Sequence, residues 1–156
     1  MIRSKILASR ISKDDFYEMY KYDNEFRKMV KDIIEEVDGK EGYLVEDVLK
    51  EIERKVGIFG YYLHDNKDIE ILFSPGDKFE VYSERYYMPD DIFQLVDCFE
   101  SIYDDLKDDT YKDIAANDDF IMPLKGKKVD FNEKIDAAKT LKGSIKRAYE
   151  IAKSFL

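Results

Sequence analysis

Tryptophan is missing from this chain of 156 residues, and it has only one cysteine, one histidine, three prolines and seven glycines. The lone cysteine, Cys98, excludes an internal disulfide and fits a reducing compartment. The lone histidine, His64, has no second imidazole to share a metal with, and no nucleophile motif stands near it. No apolar stretch approaches the roughly 18 residues that a membrane span needs. Residues 1–11 carry Arg3, Lys5 and Arg10, which break up any secretory leader. The expectation is a soluble cytoplasmic protein without a membrane partner. Phosphate-cradling loops are absent too: Gly57-Ile58-Phe59-Gly60 lacks the lysine and spacing of a P-loop. Asp65-Asn66-Lys67-Asp68 lacks the central glycine and ligand order of a calcium loop. No metal and no cofactor is expected, and no reaction is indicated; the chain reads as non-catalytic.

What is abundant is charge and aromatic bulk. Charged residues make up 39% of the chain, and 12 tyrosines and 10 phenylalanines contribute to a hydrophobic fraction of 44%. A chain of this length is expected to form a single domain over residues 1–156, burying roughly 70% of its unfolded surface. Its charge is segregated. Residues 124–156 hold nine basic and four acidic side chains, which leaves 17 basic against 31 acidic in the rest. An acidic body repels nucleic acid and attracts basic proteins.

Periodicity places the elements. The spacing of Phe26, Met29, Val30, Ile33, Ile34 and Val37 predicts a helix over 23–38, ended by Gly39, and Ser12 marks the start of a shorter helix before it. A second strong helix is predicted over 43–56. The period then shortens. Residues 58–64 are aromatic and β-prone. Ile69, Ile71 and Phe73 alternate with Glu70, Leu72 and Ser74, and Phe79 and Val81 open a third strand. A helix follows over 90–106, one or two helical turns near 110–120, a short extended piece at 120–124, and a basic helix over 132–155. This order implies an α+β fold: a small three-stranded antiparallel meander packed with about four to five helices.

The helix at 90–106 carries the main functional expectation. Ile92, Leu95, Val96, Phe99, Ile102, Tyr103 and Leu106 share one arc, and Asp90, Asp97, Glu100, Asp104 and Asp105 lie opposite, continued by Asp108 and Asp109. Such a carboxylate row imitates a nucleic-acid backbone and suits a basic groove on another protein. The same pattern also describes a solvated outer face. Tyr82 and Tyr86 share a strand face with Glu80 and Glu84, and tyrosines there serve either as a contact surface or as the floor under a helix. The expected partner-binding residues are therefore Asp97, Glu100, Asp104, Asp105 and Asp108, with Tyr82 and Tyr86 second. The expected function is a protein-binding inhibitor docking on a basic partner. By analogy alone its settings are phage anti-defence, antitoxin or immunity systems.

Two alternatives stand beside it. Lys139, Lys142, Lys146 and Lys153 line one side of the last helix, where they touch phosphates of a nucleic acid, pair with the acidic body or face solvent. A small-ligand site between sheet and helices is the other, with His64 beside Asp65. Cys98 is expected as a surface or boundary thiol on the polar side of its helix, its thiolate disfavoured by Asp91 and Asp105. An open strand edge also permits a homodimer.

Overall fold

A computed structural model describes residues 13–38 and 45–156. In these segments six helices accompany a three-stranded sheet. Helices α1 (Lys13–Tyr22), α2 (Asn24–Asp38) and α3 (Val45–Lys55) come first. Strands β1 (Phe59–Leu63), β2 (Asp68–Phe73) and β3 (Tyr82–Tyr87) follow. Helices α4 (Ile92–Leu106), α5 (Tyr111–Ala116) and α6 (Phe131–Ser154) complete the chain. No described helix is long and apolar enough to cross a membrane. The expected start at Ser12, the stop at Gly39 and the side chains of Ile33, Ile34 and Val37 lie outside the described residues.

The sheet is an antiparallel meander in the order β1-β2-β3. Alternation along β2 decides which face is buried. Ile69, Ile71 and Phe73 are inaccessible, whereas Asp68, Glu70 and Leu72 are half-buried. The register puts Phe59, Tyr61 and Leu63 of β1 and Tyr82, Glu84 and Tyr86 of β3 on that same inner face. Helices α3, α4 and α6 close over it, with the Phe59 ring meeting Phe73 and Phe99 at 5.5 and 5.8 Å. Each fully buried side chain of this size stabilises the fold by about 1.5–3 kcal/mol.

Local chemistry sets the boundaries. Asp91 caps α4 by accepting the Gln94 N–H at 2.9 Å. Thr110 and Asp113 form a reciprocal capping box on α5, the turn near 110–120. Asp130 caps α6 by accepting the Glu133 N–H at 2.8 Å. In the β1–β2 turn Lys67 takes a left-handed φ of 68°, uncommon for a side chain with a Cβ.

The third strand departs from expectation. It begins at Tyr82, because Phe79 instead bridges Pro123, with Glu80 N–H on Met122 O and Leu124 N–H on Lys78 O. This bridge breaks the alternation: Phe79 and Tyr82 are both buried, and Val81 is 48% exposed.

Candidate protein-binding surface

The face of α4 opposite its buried arc is acidic. Burial of Ile92, Leu95, Val96, Phe99, Ile102 and Leu106 against sheet and α6 orients the helix. Asp97, Ser101, Asp104 and Asp105 are left outward, and Asp108 follows in the turn beyond Lys107. From Asp97 to Asp105 the ridge runs about 12 Å along the helix axis. The helix has no acidic residue in its first turn and no basic residue in its last. Its exposed carboxylates gather instead at the C-terminal end, where the helix dipole is itself negative.

The molecule's own cations reach part of the ridge. Lys21 of α1 pairs with Glu100 at 2.9 Å, and the Tyr149 hydroxyl of α6 lies 3.5 Å from the same carboxylate. That hydrogen bond raises the Lys21 pKa. Glu100 is thus half-buried and engaged, not a free docking group. Asp104 pairs with Lys107 at 3.1 Å, both side chains being nearly half exposed. Asp105 and Asp108 are exposed without a recorded ion pair among the described residues.

Tyr82 and Tyr86 do not join the ridge as contact rings. They lie on the inner sheet face, with Tyr82 only 6% exposed and its ring 5.6 Å from Phe120. The Tyr82 hydroxyl donates to Glu84 at 2.9 Å. Burial and then the Glu84 carboxylate push its pKa far upward. Tyr86, half-buried beneath α4, is pushed up to about 12, chiefly by burial. The reason is the offset at Phe79–Pro123, which sets the phase of β3. Glu84 and Asp105 both act on the Tyr82 hydroxyl, so negative charge is felt there from the sheet and from the ridge.

Cys98 is a boundary thiol, as expected, but the acid that acts on it is Asp97 rather than Asp91 or Asp105. Cys98 packs partly buried against the core beside Tyr86, and burial, reinforced by Asp97, pushes its thiol up to about 12. An inert boundary thiol results.

The lysines of α6 are largely occupied. Lys142 donates to the carbonyls of Lys107 and Asp109 at 3.1 and 2.7 Å, which places a cation at the C-terminal end of α4. Lys139 and Lys142 lie 5.7 Å from the Tyr111 ring centroid, and Lys153 lies 5.6 Å from that of Tyr149. Lys146 is exposed. These contacts divide the lysine row rather than aligning it for phosphates.

His64 takes Glu70, not Asp65, as its partner: Nε2 lies 2.8 Å from the Glu70 carboxylate on the outer sheet face. The imidazole holds the Glu70 carboxyl below its ordinary value. A cleft of about 620 Å³ opens nearby, lined by His64, Lys67, Asp68, Tyr87, Met88 and Asp90 among others. Glu70 is not part of that lining, and Asp68 is bound by Arg85 at 3.0 Å. No group of three metal-ligating side chains converges among the described residues. Comparison of the chain with protein-family models, with curated proteins and with solved structures finds no match.

Proposed function

We propose that this protein is a non-catalytic binder that lays the acidic outer side of α4 on a basic surface of another protein, in the manner of an inhibitor. The observation that supports this reading is the location of Asp105 and Asp108. Asp105 sits exposed in the last turn of α4 and Asp108 just past its end, beside Asp104 at the negative end of the helix dipole. Lys142 and Lys107 offset part of the repulsion there; the remainder costs stability, and a cost that folding does not require is characteristic of groups kept for recognition. Asp97 and Asp104 extend the same surface, and Glu100 anchors the helix from its flank. The lysines of α6, three of the four in the row engaged within the molecule, favour this reading over contact with nucleic acid.

The test is charge reversal. Asp97, Asp105 and Asp108 are changed to lysine together, and the partners retained by wild type and variant are compared from the native host. A partner held by the wild type should associate at least about ten-fold more slowly with the variant, most clearly at low salt. Equal association rates would refute the ridge as the docking surface. Wild-type binding to DNA or RNA in gel shift, weakening steeply with salt, would replace this reading with the lysine one.

A further inference from the structure

The two edges of the sheet differ in chemistry. Strand β3 carries Glu84 and Arg85, whereas β1 is Phe59-Gly60-Tyr61-Tyr62-Leu63, without charge or proline. Charged residues, proline and bulges are what normally keep an edge from pairing with another chain, and β1 has no such guard. Its register fixes which backbone groups face outward. His64 donates to Asp68 O and Ser74 donates to Ile58 O, both at 2.9 Å, so the even-numbered residues turn toward β2. The odd-numbered ones turn away. Among the described residues nothing hydrogen-bonds to the outward N–H and C=O groups of Tyr61 and Leu63. The Phe59 N–H is already given to Val56 O at 3.1 Å.

We propose that β1 pairs antiparallel with β1 of a second copy about a two-fold axis at Tyr61, joining two three-stranded sheets into one. In that register Tyr61 faces the second copy's Tyr61 and the two exchange a pair of hydrogen bonds. Each Leu63 N–H meets the carbonyl of the second copy's Phe59. Gly60 faces the second copy's Tyr62 in the close, non-hydrogen-bonded arrangement. Space around Gly60 is open, with nothing within 4 Å of where a Cβ would stand, and Tyr62 on the same outer face is 57% exposed. The tyrosine ring therefore covers the glycine across the seam, the packing known as aromatic rescue. Charge also selects this edge for self-association. Each copy carries a net −9, which repels a like molecule, and β1 is a strand on which that charge is absent. This pairing is independent of the acidic ridge, and either can fail without the other.

Sedimentation over an about hundred-fold range of concentration, spanning the micromolar affinities of small interfaces, should show a monomer–dimer equilibrium. Tyr61→Pro removes an outward N–H without touching the β1–β2 ladder and should weaken dimerisation at least about ten-fold. Where that variant does not fold, Tyr62→Lys, a change on an exposed outer position, should do the same. In a Cys98→Ser background Tyr61→Cys should oxidise to a covalent dimer, since facing Cα atoms about 5.5 Å apart suit a disulfide. Leu63→Cys should not, because its counterpart lies four residues along. A monomer at every concentration overturns the proposal. So does a dimer indifferent to both edge variants, or one in which Leu63→Cys cross-links as readily as Tyr61→Cys. Strong protection of the Tyr61 and Leu63 amides from exchange in the dilute monomer would show the edge already covered and overturn it too.

Discussion

Neutralising Asp105 and Asp108 together, as Asp105→Asn with Asp108→Asn, should make the protein more stable. Both carboxylates stand exposed at the C-terminal end of α4. An acid there opposes the helix dipole by about 0.3–1 kcal/mol at low ionic strength. Like-charged neighbours on a helix add a few tenths of a kcal/mol each. Asp104 contributes less of this repulsion than its position suggests, because Lys107 lies 3.1 Å away. Screened by solvent and partly offset by Lys107 and Lys142, the two changes together are worth about 0.5–1 kcal/mol, a rise in Tm of about 1–4 °C for a chain of this size. Thermal or urea unfolding in dilute buffer reads the effect. The measurement repeated near 1 M salt, where the screening length is about 3 Å, should lose most of the gain. A double variant equally or less stable than wild type in dilute buffer would show that the ridge carries no strain. The chief support for a recognition role would go with it.

Lys142→Met should destabilise by about 1–2 kcal/mol, since it removes a cation and two hydrogen bonds from the end of α4. Lys146→Met on the same helix should stay within about 0.5 kcal/mol in urea titration. Cys98 should react with a disulfide reagent at pH 8 at least about ten-fold more slowly in the native than in the unfolded protein, because burial pushes its thiol up to about 12. For the His64–Glu70 pair the sign follows from a depressed carboxylate. The contribution of Glu70 is present above its unfolded value of about 4.3 and is lost as pH falls through the lower folded value. Unfolding curves of wild type and Glu70→Gln should differ at neutral pH and converge only as pH falls below the depressed folded value of Glu70.

Local signals in the sequence are strong where one residue type repeats at one period. The apolar arc of α4, apart from the half-buried Tyr103, and the alternation of Ile69, Ile71 and Phe73 carry through to inaccessible side chains. The meander order is legible for the same reason, with turn residues at Asp65-Asn66-Lys67 and Pro75-Gly76 between the strands. What was hidden depends on distant partners. The inward turn of Tyr82 is set by Phe79 pairing with Pro123, and Glu100 is claimed by Lys21 and Tyr149. His64 finds Glu70 only once the β1–β2 register exists. Met29 illustrates the opposite limit: its spacing fits the apolar face of α2, yet it is 43% exposed. Among acids the sequence reports the row on α4 but not which members remain unclaimed: Lys107 lies close enough in sequence to be read against Asp104, whereas the groups that answer Glu100 lie on α1 and α6.

Strand order has a geometric corollary. Strand β1 forms one margin of the sheet, and α4 lies across the sheet: Phe99 meets Phe59 of β1, while Cys98 and Ser101 meet Tyr86 of β3 on the side toward the opposite margin. Two copies joined along β1 would carry their carboxylate rows on opposite flanks. Such a doublet would gain avidity only from targets whose positive patches recur at a matching spacing, and a solitary patch would feel each row as if the other were not there.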